Sequence, residues 1–298
     1  MNSKEINKAI ELLNASQVVG MPTETVYGLA AKIDLPGGIA KIFTTKQRPD
    51  FDPLIVHVAS IEQAKECTSN WSETAQALAD AFWPGPLTMI LPKASHISGK
   101  ITSGLTSVGL RCPNHPVALE LIRAAGPLAA PSANRFGKTS PTTKAHVDAE
   151  FNDAVFTLDG GACEVGIEST VVGVFDDRIE IYRPGSITKS QLEKASSLPV
   201  ANVQSPVSPG ALKHHYMPDI PMYLSLENEF PEMLKGIKFN TISLSNQPEL
   251  AARELYQLMR QACTKEVQAI LLVKRQDQVG EKWEGIWNRV SKAITKEI

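Results

Sequence analysis

INKAIELLNASQVVGMPTETVYG, residues 6–28, decides how the N-terminal part of the chain reads. Ile6, Ala9, Ile10 and Leu13 recur at i, i+3, i+4 and i+7, the apolar stripe of a helix packed on one face. Val18-Val19 then opens an extended piece that Pro22 stops. Helix, strand and a polar loop closed by glycine is the start of an α/β unit, and the alternation continues. Leu54 to Val58 and Leu87 to Leu91 read as buried strands, and Ser72 caps a helix that buries Ala75, Leu78, Ala79 and Phe82. Val155 to Leu158, Thr170 to Phe175 and Ile179 to Tyr182 are further strands, the last two joined by an Asp176-Asp177-Arg178 turn. Thr188 with Gln191 forms a capping box for a helix ending near Ser196.

Residues 1–196 are therefore expected to form a mixed sheet with helices. Residues 197–220 read as an extended connector: prolines at 199, 206, 209 and 218 break any periodicity. Its interior, SPGALKHHYMP at 208–218, is rich in functional groups for a spacer. Residues 221–298 show a βαβαβα pattern: strands at 222–224, 239–244 and 267–273, a polar helix near 228–234, a strong helix at 248–262 and a final helix. This predicts a small parallel α/β domain without a glycine-rich phosphate loop.

Composition bounds the function. With 298 residues, 43% hydrophobic and 21% charged, the chain can bury two cores. Its longest aliphatic run, Ala269 to Val273, is far too short for a membrane span. The charged N-terminus lacks an apolar signal core, and four scattered cysteines without a CxxC pair fit reduced thiols, so a cytoplasmic protein is expected. A net charge of −2 argues against nucleic-acid binding over the whole surface.

The common nucleotide, zinc-protease and hydrolase signatures are missing. Polar clusters instead recur at strand ends, where open α/β sheets bind ligands. Singly, each has an ordinary explanation. Thr25 suits a helix N-cap, Ser132 and Asn134 suit turns, and Ser140 suits a cap before Pro141. Lys46, Arg48, Arg111 and Arg183 suit solvated charges, His57 a core histidine, and His214-His215 lacks a third metal ligand at a diagnostic spacing. Together, Lys46, Arg48 and Arg183 with Ser and Asn donors suit a polyphosphate, each close ion pair having a Coulomb term of roughly 4 kcal/mol at an effective dielectric of about 20.

PTETVYGL at 22–29, KxRP then PLxxH across 46–57, RCPNHP at 111–116, PSAN at 131–134, SPTT at 140–143, GIESTV at 166–171 and RPG at 183–185, followed by SPGALKHHYMP, resemble in order the motifs of the YrdC/Sua5 family. The resemblance implies a YrdC-like twisted mixed sheet plus a small Rossmann-like parallel C-terminal domain. It implies L-threonylcarbamoyladenylate synthesis: L-threonine, bicarbonate or CO2, and ATP give threonylcarbamoyl-AMP and pyrophosphate. That product feeds t6A formation at position 37 of tRNA through a downstream transferase complex, with weak tRNA contact left open and no membrane partner.

By the same resemblance, Lys46, Arg48, Asp52, Ser107, Ser132, Asn134, Ser140, Arg183 and Tyr216 surround ATP, with Lys46, Arg48 and Arg183 catalytic. Mg2+ shares the phosphate charge, its protein ligands unspecified. Thr25, His57, Arg111, Ala130 and Ser169 hold L-threonine, Arg111 taking its carboxylate, and Tyr216 makes the connector a lid. The family often has Asn where this chain has Asp52, which puts a negative group near the triphosphate. Cys112 after Arg111 is expected only to pack, and the C-terminal domain is assigned no chemistry. An RNA-binding module is disfavoured by 6% aromatic content without a stacking motif. A carbamoyl-transfer domain of the hydrogenase-maturation type is disfavoured by the absence of zinc-finger cysteines and an acylphosphatase-like region.

Overall fold

The computed structural model describes residues 3–49, 51–203, 215–227 and 234–297. The first layer begins with α1 (Ser3–Asn14), β1 (Val19–Met21), β2 (Gly28–Lys32), α2 (Pro36–Lys46), β3 (Ile55–His57), α3 (Ile61–Cys67), α4 (Glu73–Phe82) and β4 (Leu87–Pro92). It continues with β5 (Ser107–Arg111), α5 (Pro116–Ala125), β6 (Leu128–Ala129), α6 (Lys144–Phe151), β7 (Thr170–Val174), β8 (Ile179–Arg183), α7 (Lys189–Ser196) and β9 (Val200–Asn202). These nine strands form one mixed sheet in the order β1-β2-β6-β3-β5-β4-β7-β8-β9.

Successive residues of β2 enter different cores: Leu29 and Ala31 pack with Ile39, Ile42, Leu78 and Leu110, whereas Ala30 packs with Ile6, Leu13, Leu121 and Ile122. The strand's two-residue period thus covers the sheet on both faces. The stripe predicted on α1 is the buried one, through Ile6, Ala9 and Leu13. Ser72 accepts from Ala75 N, and Thr188 and Gln191 complete their capping box. Phe82, the last residue of α4, is only half-buried.

Two expectations change. Val155 to Leu158 is no strand: Thr157 alone bridges Gly20, and Leu158 N and Phe156 O bond the backbone of Gly20. The apolar run marks a buried loop lying along β1. The nine-stranded sheet also extends past residue 196, since β9 pairs in parallel with β8 through Val200, Ala201 and Asn202. Three residues between prolines carry too little periodicity to be read as a strand.

The second layer comprises β10 (Met222–Leu226), β11 (Phe239–Ser243), α8 (Pro248–Ala262), β12 (Ala269–Lys274), α9 (Glu281–Ala293) and β13 (Lys296–Glu297). Its strands are ordered β11-β12-β10-β13 and all pair in parallel. The three expected strands and the last two helices of the C-terminal pattern are therefore present, with one more short strand at the edge. Residues 228–233 of the helix expected near 228–234, and the connector interior at 204–214, lie outside the described residues.

The two layers share a core. Val26 and Ile167 of the first pack with Leu255, Tyr256, Met259, Trp283, Ile286 and Val290 of the second, and Tyr216 lies in the same cluster. The contact closes to backbone at two glycines. A Cβ on Gly285 would stand 2.8 Å from Gly185 O, and one on Gly166 would stand 2.3 Å from Arg253 Cα. Gly166 also holds φ at +81°, where a side chain is strained. Gly166→Ala is expected to cost at least about 2 kcal/mol, read as a lowered denaturation midpoint. Gly104→Ala, at the same φ of +81° but in open space, should cost only about 1 kcal/mol.

Candidate active site

The sheet brings the polar clusters to one cleft. β3 and β5 run parallel with His57 beside Arg111, so both side chains are delivered at strand ends. Ala130 N bonds Ile55 O, and Leu29 N bonds Pro131 O, which lays the 130–132 segment against the same ends. Gly28 permits this approach, since a Cβ there would stand 3.1 Å from that of Ala130. The β7–β8 hairpin supplies Ser169 and Arg183. Arg48, His57, Arg111, Ala130, Ser132, Ser169, Arg183 and Tyr216 all line a cleft of about 570 Å³ measured out to its solvent mouth. Thr23, Val26, Gly28, Pro53, Ile55, Pro131, Glu168 and His215 complete its wall.

Each charge in the wall is fixed from the protein side. Helix α2 ends with Gln47 at φ +52°, which turns the chain so that Arg48 N returns to Phe43 O. Arg48 then meets Asp52 at 2.9 Å and donates to the carbonyls of Asp52 and Pro53. Arg111 meets Glu24 at 2.8 Å and donates to Gly85 O. Arg183 donates through Nε and Nη2 to Ser169 O, and Nη2 also reaches Ser169 Oγ at 3.2 Å. Glu168 is bound by Arg289 of α9 at 2.7 Å. Guanidinium forks held in this way suit carboxylate and phosphate oxygens.

The comparisons with known proteins agree with this architecture. Residues 11–185 match the Sua5/YciO/YrdC family model, described as telomere recombination, and residues 187–294 match one described as threonylcarbamoyl-AMP synthase, C-terminal domain. The chain belongs to the YrdC/Sua5 family. It is 43% identical over 231 residues to the threonylcarbamoyl-AMP synthase of Bacillus subtilis, covering 74% of this chain and 66% of that protein. It is 38% identical over 223 residues to the Pyrococcus abyssi enzyme of the same name, covering 72% and 66%. The match thus spans about two thirds of the length of these curated relatives. The crystal structure of P. abyssi Sua5 complexed with L-threonine superposes with a TM-score of 0.88 at 30% identity, covering 100% of this chain and 97% of that one.

Within this YrdC/Sua5 fold, several residues singled out from the sequence stand behind the cleft wall. Lys46 is buried and its ammonium donates to the carbonyls of Ser132 and Asn134, holding the PSAN segment. Burial, and then Arg48, push its pKa well below that of an ordinary lysine. Asp52 spends its charge on Arg48 rather than facing the cleft. Asn134 donates to the carbonyls of Arg135 and Lys138. Thr25 pairs with Thr23 at 2.9 Å and caps no helix, and Thr23 is the one that lines the cleft. Ser140 donates to Glu168 at 2.6 Å, and α6 is capped by Thr143 instead. Ser107, at the opposite end of β5 from Arg111, is not in the cleft wall. Cys112 is buried in the main core.

Glu24, Glu168, Arg289 and Tyr256 were not singled out. Glu24 and Glu168 lie inside PTETVYGL and GIESTV, and a carboxylate within an otherwise neutral, strand-end motif is a signal for a buried partner. Among the described residues no group of three His, Cys, Asp or Glu side chains is placed to hold a metal, and His214 lies outside them. The nearby carboxylates, Glu24, Asp52 and Glu168, are each committed to an arginine.

His57 is 3% exposed, and burial, then Arg111, lower its pKa from 6.5 to about 3. At neutral pH it presents an uncharged imidazole, too weak a base to take a proton from an ammonium and suited to orienting a ligand. The depressed value makes the unfolded chain take up a proton between pH 6.5 and 3 that the folded chain refuses, so stability falls as pH falls through that window. In urea unfolding, the stability difference between wild type and His57→Asn should change by about 1.4 kcal/mol per pH unit between about pH 5.5 and 4. A difference that stays constant with pH would contradict a neutral, buried His57.

Proposed function

We propose that this member of the YrdC/Sua5 family is an L-threonylcarbamoyladenylate synthase. The observation that carries the proposal is the convergence of Arg48, Arg111 and Arg183 on one cleft with neutral His57 and the hydroxyls of Thr23, Ser132 and Ser169. Such a wall suits an amino acid carboxylate and a polyphosphate side by side.

The chemistry follows from those groups. The neutral amine of threonine attacks the carbon of CO2 and gives up one proton to solvent, leaving a carbamate; from bicarbonate that proton departs with the expelled hydroxide as water. A carbamate oxygen then attacks the α-phosphorus of ATP, the bond to the bridging oxygen breaks, and pyrophosphate leaves. No covalent enzyme intermediate is needed, so positioning and charge compensation do the catalysis. Arg111 takes the threonine carboxylate while Glu24, outside the cleft wall, fixes its guanidinium. Ser169, Ala130 and His57 flank the amino acid. Arg48 and Arg183 face the phosphates, Asp52 and Lys46 setting Arg48 and the Ser132–Asn134 segment from behind. Magnesium is proposed to enter bound to the nucleotide phosphates, in keeping with carboxylates already paired to arginines.

Tyr216 is 1% exposed and lines the same cleft. Placed over the nucleotide it would keep water from a mixed anhydride that hydrolyses readily. The product is proposed to pass to a transferase that forms t6A at tRNA position 37 in the cytoplasm, with direct tRNA contact weak. No helix among the described residues is long and apolar enough to cross a membrane.

Pyrophosphate release from ATP and Mg2+ should require both L-threonine and bicarbonate; release independent of either would overturn the proposal, and an RNA-binding module would release none. Arg111→Ala should raise the KM for threonine about tenfold or more, and Arg48→Ala that for ATP, the loss expected for one charge-assisted contact. Wild-type kinetics in both would remove these residues from the site. Tyr216→Ala should lower the yield of threonylcarbamoyl-AMP per pyrophosphate released, and an unchanged ratio would count against a closing role.

A further inference from the structure

We propose that Arg289, on the last helix of the C-terminal domain, is a positioning residue for the nucleotide half of the site and acts through Glu168. The inference rests on the synthase reading and gives the C-terminal domain a part in the reaction.

Arg289 is fully buried and its guanidinium engages two segments of the first domain. Nε donates to the Glu168 carboxylate at 2.7 Å, Nη2 to the Glu168 carbonyl at 2.9 Å and Nη1 to the Pro184 carbonyl at 2.6 Å. Glu168 precedes Ser169, and Pro184 follows Arg183. One side chain from α9 therefore pins the backbone next to both cleft residues, which are themselves tied by the bonds from Arg183 to Ser169 O. The Glu168 carboxylate also accepts from Ser140 Oγ at 2.6 Å and from Tyr256 OH at 3.0 Å. Its donors come from both domains, and Tyr256, like Arg289, belongs to the second.

Charge gives the clamp its consequence for nucleotide binding. Burial pushes the Glu168 carboxyl up, but Arg289, Arg183 and Ser140 outweigh it and hold the group ionised. With Arg289 present, that charge is met at contact distance by a residue that does not face the cleft. Without it, the buried carboxylate must turn to Arg183 or take up a proton. The first outcome draws a phosphate-facing cation away, and the second releases Ser140. Arg289 also lies 5.5 Å from the centroid of the Tyr216 ring, so the same guanidinium supports the aromatic wall of the cleft. A residue serving only to join two domains would need neither the shared carboxylate nor the contact with Tyr216.

The test is steady-state kinetics of the full chain, with KM for ATP and for threonine measured separately, thermal midpoints recorded alongside and ATP affinity read by calorimetry. Arg289→Met should raise the KM and Kd for ATP about tenfold or more while threonine KM stays within about twofold. Arg289→Lys, which keeps the charge but cannot span Glu168 and Pro184, should recover part of that loss. Tyr256→Phe, which removes one hydroxyl, should raise ATP KM about threefold with little change in thermal midpoint. If Arg289→Met fails to fold, the other two variants decide the question. Unchanged ATP KM and Kd in Arg289→Lys and Tyr256→Phe would overturn the proposal, as would ATP and threonine KM rising together in step with lost thermal stability. Wild-type protein that binds ATP but makes no threonine-dependent pyrophosphate would overturn the synthase reading alone, and the variants' Kd for ATP would still decide the role of Arg289.

Discussion

Five buried cations face three buried carboxylates in one region of the molecule: Lys46, Arg48, Arg111, Arg183 and Arg289 against Glu24, Asp52 and Glu168. Desolvating an ion costs several kcal/mol unless a partner recovers it, so such a cluster is stable only where geometry is tightly controlled. Three arginines each have a carboxylate within 3 Å. Lys46 is served by two carbonyls and its proton affinity is lowered by burial and by Arg48. Arg183 leans on Ser169, whose hydroxyl is in turn held by Thr88. Arg183, unlike Lys46, lines the cleft, where an anionic ligand would offset the cost of keeping a cation there.

This arrangement explains which parts of the protein were legible from its sequence. Local rules worked where the cause is local: the α1 stripe, the Ser72 cap, the Thr188–Gln191 box, the Asp176–Arg178 turn and the limits of α8 all follow from side-chain spacing and capping chemistry. They failed where the cause is long-range. Val155 to Leu158 has the composition of a strand, but only Thr157 finds a bridge partner. Lys46 and Arg48 sit two residues apart with the same formal charge. Only the left-handed turn at Gln47 separates them, sending one behind the wall and the other into it. Arg289 shares its helix with exposed and half-buried polar residues, and no spacing distinguishes a guanidinium that crosses a domain boundary from one that meets water.

The same constraint bears on domain organisation. Charges buried between two domains fix their relative position more sharply than apolar contact, because a small slip leaves a donor or acceptor without a partner. Here the apolar cluster of Val26, Ile167, Leu255 and Ile286 brings the layers together, and the glycines at 166 and 285 allow contact at backbone distance. Arg289 then sets the register by reaching two carbonyls and a carboxylate at once. Burial drives the docking, and polar satisfaction makes it specific.

Tyr216 stands where these effects meet. Its φ of +66° is unfavourable for an L residue and is held by bonds on both sides. His215 N donates to Lys292 O on α9, whereas Met217 N donates to Gly137 O and Met217 O accepts from Thr139 N in the first domain. The segment is thus tethered to one domain before the tyrosine and to the other after it. Any movement that widens the cleft at Tyr216 must stretch the link to α9, the link to residues 137–139, or the domain contact itself. Access to the charged wall is consequently coupled to how the C-terminal domain is seated, and the element that seats it is the helix carrying Arg289.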